Sequence, residues 1–230
     1  MGGSRVIVKA ENDYGDLNLW ENCFSPANVY PPGTIIFQQG AQAQDVFLIG
    51  DGLVKLVRNE ENGTEIIVGL RSSGDLLGAV SVLINRPQVI AAVTVSQCNM
   101  QRLPGYTFLQ ILEDDVCSTL ALCRMIGHEI VEHITHLSEL ACLSARSRLE
   151  LFLWESASVQ GKTIASGRVR LRLPLKEYDV AKFLSVTPVH LSRLLSEVER
   201  DGIIIRDKGW LLIDKRRLKH HCTELLEGKG

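Results

Sequence analysis

The chain has 230 residues, 45% of them hydrophobic, which is long enough for two domains and apolar enough to bury a core. No apolar run reaches the length of a membrane span, and the N-terminal MGGSRVIVKAEND lacks the hydrophobic region of a secretion signal; a cytoplasmic protein with no membrane partner is expected. The net charge of −2 conceals a division, because residues 142–230 carry 17 Lys and Arg against 11 Asp and Glu, while residues 1–141 carry 8 against 16.

Residues 1–22 form a short arm with a predicted helix around Leu17–Asn22. From Pro26 onward, Gly and Asn punctuate short alternating runs at Thr34–Phe37, Val46–Ile49, Leu53–Arg58, Glu65–Leu70 and Ala91–Met100, which read as strands. Glu60-Glu61-Asn62-Gly63 is a hairpin loop between two of them. Strands so short and so regularly spaced point to a β-sandwich or jelly roll. After Pro104, Thr107–Asp114 reads as a helix leading into a long one that ends near Ala141. Along it, Val116, Leu120, Cys123, Gly127, Ile130, Ile134, Leu137 and Ala141 are spaced 4 and 3 in alternation, the heptad rhythm of a coiled coil. Leu122, Met125 and Ile126 form a second stripe suited to packing on the strands. Leu140–Ser144 is the expected hinge, and Ser144 the expected cap of a helix over Ala145–Ser158 with Leu149, Phe152 and Leu153 inward. His128 and His136 read as surface residues.

Val169–Leu173 alternates as a strand and is followed by LKEYDVAKFLSVTPVHLSRLLSEVERD. Two short helices are predicted there, about Lys176–Leu184 and Thr187–Arg200, joined at Ser185-Val186-Thr187. Thr187 is a good N-cap and Pro188 sits where its missing N–H costs nothing. Leu191, Leu194, Leu195 and Val198 share one face of the second helix; Val189, Ser192, Arg193 and Ser196 lie opposite. That outer face is small and carries one long cation, which suits a DNA major groove: Arg193 can donate twice to a guanine, and Val189 can touch a thymine methyl. Thr187, Pro188, His190, Ser192 and Tyr178 flank it. Ile203–Ile205, Asp207-Lys208-Gly209 and Trp210–Ile213 read as a hairpin wing with Lys208 at its tip for phosphate, and Lys215–Leu226 as a final helix. The basic part of the chain is the part with these helices, and clustered cations gain affinity for phosphates by counterion release.

The spacing of Ala181, Val186, Leu191 and Leu194, with Arg193 as the base-reading residue, resembles the helix-turn-helix of the Crp–Fnr family of bacterial transcription regulators. Pro32-Gly33, Gly40, the FLIGDGLVKL run, Gly63 and Gly74-Asp75-Leu76-Leu77-Gly78 are similar to that family's cyclic-nucleotide-binding-type roll over about residues 24–106. The implied architecture is α+β: an N-terminal β jelly-roll barrel (1–106), a long dimerisation helix and hinge (107–143), and a C-terminal winged helix-turn-helix (144–230). It implies a homodimer on palindromic double-stranded DNA, with RNA polymerase as a further partner. The seam Val116, Leu120, Cys123, Gly127, Ile130, Ile134 and Leu137 is the implied dimer interface.

The resemblance also locates an effector pocket. In the family's cyclic AMP sensors a Glu after the last Gly holds the ribose and a later Arg meets the phosphate. Here Ala79 follows Gly78, and Val89 and Ile90 stand at the Arg position and its neighbour. A buried phosphate without a cation is costly. Ala79, Val82, Val89 and Ile90, with His133 and Ile134 where sensors touch ligand, outline a more apolar pocket, for which a small apolar or aromatic ligand is the better fit. An iron–sulfur sensor would need several N-terminal cysteines, and only Cys23 precedes the roll. All six cysteines, Cys23, Cys98, Cys117, Cys123, Cys142 and Cys222, read as reduced and mostly buried thiols. Haem beside His133, a thiol switch, a regulator without effector, and a nucleotide-binding module of a channel or kinase are the alternatives; the cofactor stays open. Enzymatic motifs such as a nucleophile elbow, a P-loop or HExxH do not occur, so no catalytic residue and no metal ligand is assigned.

Overall fold

Among the described residues, eight of the twelve strands fall before residue 105, in the segment where Gly and Asn break the apolar alternation. The computed structural model describes residues 23–159, 161–164, 167–173, 175–219 and 222; the expected helix at Leu17–Asn22, and the end of the one over Lys215–Leu226, lie outside them. The first eight strands are β1 (Asn28–Tyr30), β2 (Ile35–Phe37), β3 (Asp45–Asp51), β4 (Val54–Asn59), β5 (Glu65–Arg71), β6 (Leu76–Leu77), β7 (Ala91–Thr94) and β8 (Cys98–Pro104). They form two four-stranded sheets, ordered β1-β8-β3-β6 and β2-β7-β4-β5. This is the jelly-roll-like pair of sheets expected from the sequence, without closure into a barrel among the described residues.

The single run Ala91–Met100 is two strands in different sheets. Its apolar alternation is broken at Ser96, whose hydroxyl accepts from the Leu53 N–H at 2.9 Å, so the chain is held by the turn before β4 and then changes sheet. Gly52 makes that turn possible. Its φ is +106°, and a Cβ there would lie 2.6 Å from the Gln97 carbonyl oxygen. The β4–β5 hairpin closes as read, with Asn59 opposite Glu65 and Gly63 at φ +80°.

A short helix α1 (Ala79–Leu83) and then α2 (Gly105–Asp114) pack on the roll. The long helix α3 (Val116–Cys142) turns its second stripe inward: Leu122 and Met125 join Phe24, Val46, Leu103 and Phe108 in one core cluster, with Ile126 packed against it. The described residues fall into two units, one ending at His133 and the other beginning at Ile134, so the division lies inside α3.

In the second unit, α4 (Ala145–Val159) starts at Ser144, whose hydroxyl accepts from the Ser147 N–H at 3.1 Å, and buries Leu149, Phe152 and Leu153. Strands β9 (Lys162–Thr163), β10 (Val169–Leu171), β11 (Ile204–Asp207) and β12 (Trp210–Ile213) form a sheet ordered β11-β12-β10-β9. Between β10 and β11 lie α5 (Glu177–Phe183) and α6 (Pro188–Arg200). Residues 215–219 are helical, capped by Asp214, which accepts from the Arg216 and Arg217 N–H groups. No helix among the described residues is long and apolar enough to cross a membrane.

Candidate nucleic-acid interface and effector cavity

The α5–α6 pair is a helix-turn-helix built by local signals. Thr187 takes extended backbone angles, its Oγ1 accepts from the His190 N–H at 3.1 Å, and Pro188 occupies the first turn. Leu191, Leu194, Leu195 and Val198 are all buried, as their spacing predicts. Ser185, in the turn, has φ 53°, a left-handed conformation that glycine adopts more readily than a residue with a Cβ. The turn is pinned further by Arg148, which donates to the Leu184 carbonyl at 3.2 Å and to the Leu143 carbonyl at 2.8 Å. It thereby ties the end of α3 to the end of α5. Burial lowers the affinity of this guanidinium for its proton, since partial desolvation disfavours the charge.

The opposite face of α6 is open. Val189 is 81% exposed, and Ser192 and Pro188 are exposed beside it. The Arg193 side chain is 71% exposed, with only a 4.0 Å approach to Glu197, an ion pair that stabilises little and leaves the guanidinium able to turn. Ser196 is not part of this open surface: its hydroxyl accepts from Arg206 of β11 at 3.2 Å. Arg206 also donates through its backbone N–H and its guanidinium to Glu199, which holds that carboxyl below the ordinary carboxylate range. The wing is therefore anchored to α6 by paired charge, and its tip is the two-residue turn Lys208-Gly209, both at positive φ, with Lys208 exposed. Tyr178 is exposed on α5 under the Lys182 ammonium, 4.2 Å from its ring, while His190 is half-buried. Nothing in the sequence singles out Lys182, although it lies one turn after Tyr178.

The seam of α3 is exposed at every position from Val116 through Leu120, Cys123, Gly127, Ile130, Ile134 and Leu137 to Ala141. A Cβ at Gly127 would meet nothing within 4 Å. Two histidines of this helix differ: His128 is exposed, but His136 is largely covered, stacked on Phe183 of α5 at 4.9 Å, because it falls on the face turned away from the seam.

A cavity of about 420 Å³ opens in the first unit between the roll and α3. Its lining includes Ala79, Val89, Ile90 and His133 of the expected set. Val82 and Ile134 are outside it. Val82 lies in the core with Phe108 and Leu122, and Ile134 is 61% exposed on the seam. Arg86, the cation nearest the Val89 position, is exposed and does not line the cavity. From α3 come Met125, Ile126, Glu129, Ile130 and His133, one face of the helix by their spacing. Sequence reasoning missed the charged pair here: Arg71 at the end of β5 donates from Nε to Glu129 at 3.1 Å and from Nη1 to the Leu70 carbonyl at 2.9 Å. An arginine closing the run GTEIIVGLR reads as a strand reaching solvent; only the fold puts it beside Glu129.

Four of the six cysteines, Cys23, Cys117, Cys123 and Cys142, are exposed, which corrects the expectation that most are buried. Three of these lie on α3, one of them, Cys123, on its open seam. The two buried thiols, Cys98 and Cys222, are pushed up by burial, Cys222 to about 12, and are poor nucleophiles. No group of three or more His, Cys, Asp or Glu among the described residues is placed to hold a metal ion.

Residues 27–115 match the family described as cyclic nucleotide-binding domain, and residues 147–221 match the Crp-like helix-turn-helix domain. The chain is 26% identical over 206 residues to Electron transport regulator A of Shewanella oneidensis, covering 86% of this chain and 77% of that one. It is 31% identical over 90 residues to Potassium channel AKT1 of Oryza sativa subsp. indica, covering 39% of this chain but spanning only 10% of the channel. The solved structure of FixK2 from Bradyrhizobium japonicum superimposes with a TM-score of 0.73 at 20% identity, covering 86% of this chain and 96% of that one.

Proposed function

Because the chain belongs to the Crp–Fnr family of transcription regulators, a cyclic nucleotide-binding domain followed by a Crp-like helix-turn-helix domain, we propose that it works as a homodimer on palindromic DNA under the control of an effector sensed in the roll. The observation that carries the DNA reading is the outer face of α6, where Val189, Ser192 and Arg193 stand open above a fully packed inner face. Arg193 reads a base edge, with Val189 and Ser192 beside it. Thr187, Pro188, His190, Tyr178 and Lys208 position the helix on phosphates. Two copies joined along the α3 seam present two such helices to half-sites about 34 Å apart. The functional division is a sensing roll over residues 1–106, a dimerisation helix and hinge over 107–143 and a DNA-binding domain over 144–230, with RNA polymerase as the partner through which transcription is controlled.

The effector in this reading is not a cyclic nucleotide. Ala79, Val89 and Ile90 supply no anchor for ribose or phosphate, and the cation that the cavity does contain, Arg71, is already paired with Glu129. Ile130 belongs both to the cavity lining and to the exposed seam, which offers a direct route from occupancy to dimer geometry. An effector acts by binding the two geometries unequally. Selection from a random pool of duplexes tests the proposal. Enrichment of a palindrome bound in a salt-dependent manner is expected; a pool that stays unenriched with folded protein contradicts it.

A further inference from the structure

The charge arrangement of the roll cavity restricts what it can hold. We propose that it takes a neutral, largely apolar small molecule, and that the Arg71–Glu129 pair is the device that excludes anions. The inference rests on the reading of the roll as the effector domain and adds the chemical class of the ligand.

Most of the lining is aliphatic or aromatic, and about 420 Å³ is within the ordinary range for a small-molecule site. The two oppositely charged groups in the wall cancel. Both side chains are largely covered, at 6% and 15% exposure, and Nε of Arg71 lies 3.1 Å from the Glu129 carboxylate. The pair joins the end of β5 to α3, 58 residues apart. An anion reaching for Arg71 must displace Glu129 and leave a covered carboxylate without its cation, or share the cation with it. Either choice puts two like charges together away from water, which is strongly unfavourable. A cation entering meets the mirror-image problem at Glu129. A neutral ligand leaves the pair intact and gains from burial against the apolar wall. Buried Ser81 and Gln88 supply polar groups that can orient it.

Two fluorescent probes with the same aromatic frame test this on the full chain: neutral N-phenylnaphthylamine and its anionic counterpart, anilinonaphthalene sulfonate. The neutral probe is expected to saturate at one per protomer and to bind at least about tenfold more tightly than the sulfonate, a difference of about 1.4 kcal/mol. Glu129→Gln keeps the shape and releases the cation; it is expected to tighten the sulfonate about fivefold or more and leave the neutral probe unchanged. Ile90→Trp fills the cavity and abolishes neutral-probe binding, whereas Tyr106→Glu, exposed on α2 and outside both the cavity and the seam, does not. Equal affinity for both probes, no saturable binding by a chain that melts cooperatively, or binding that follows Tyr106 rather than Ile90 overturns the proposal. The comparison on the unaltered chain decides the matter whether or not Glu129→Gln folds. DNA binding is measured on the same preparations: its loss with probe discrimination intact contradicts the regulator reading and not the cavity chemistry.

Discussion

Two helices of this chain carry an open face opposite a packed one, and the two open faces differ in kind. On α6 the exposed side is of low relief, with Val189, Ser192 and the cation Arg193. On α3 it is bulky and apolar, with Val116, Leu120, Ile130, Ile134 and Leu137 in heptad order. Apolar side chains in a continuous stripe gain by being covered with more of the same, whereas a low-relief face with a forked donor gains from a groove lined by acceptors. The contrast distinguishes a face suited to self-association from one suited to DNA, although both are exposed to a similar degree.

Substitutions separate the two faces. Leu137→Asp, on the seam and outside the cavity, has the largest expected effect: a charge buried in the dimer weakens association by about 3 kcal/mol or more, at least a hundredfold. Sedimentation at micromolar concentration is expected to show monomer, and an undiminished dimer would remove the seam from the interface. Arg193→Ala comes next. It is expected to cost about 1–3 kcal/mol on the preferred site and to relax preference at one position per half-site, with dimer mass unchanged. Retained discrimination in a binding titration would take Arg193 out of base readout. Lys208→Ala has a smaller effect, weakening all DNA sequences alike and lowering the salt slope by about 1 for each phosphate that the ammonium no longer neutralises. A change in sequence preference instead would mean that the wing reads bases. Ser185→Gly has the smallest: relief of the positive φ is expected to raise stability by about 0.5–1 kcal/mol in a thermal melt without altering DNA specificity. A lower melting temperature would contradict the strain argument.

What is legible in the sequence follows from how far apart the determining residues lie. The helix-turn-helix is written in fewer than thirty consecutive residues, where Thr187, Pro188 and the Leu191–Val198 stripe each act on near neighbours. The α3 seam is legible for the same reason. The cavity is legible only in part: the family resemblance points to Ala79, Val89, Ile90 and His133, but the charged pair joins Arg71 to Glu129 across 58 residues, and neither residue signals the other. The break of Ala91–Met100 into strands of two sheets depends on Ser96 meeting Leu53, again a long-range interaction. Nearness in sequence to Ala79 suggests a place in the pocket for Val82, but its side chain packs with Phe108 and Leu122 in the core instead.

Two copies joined along α3 are expected to place two copies of α6 on one DNA duplex. The native mass of the protein bound to its selected duplex reads this out. Two protomers per palindromic duplex are expected, and the complex is expected to disappear when the half-sites are moved apart by half a helical turn. One protomer per duplex bound at full affinity, or indifference to half-site spacing, would contradict it.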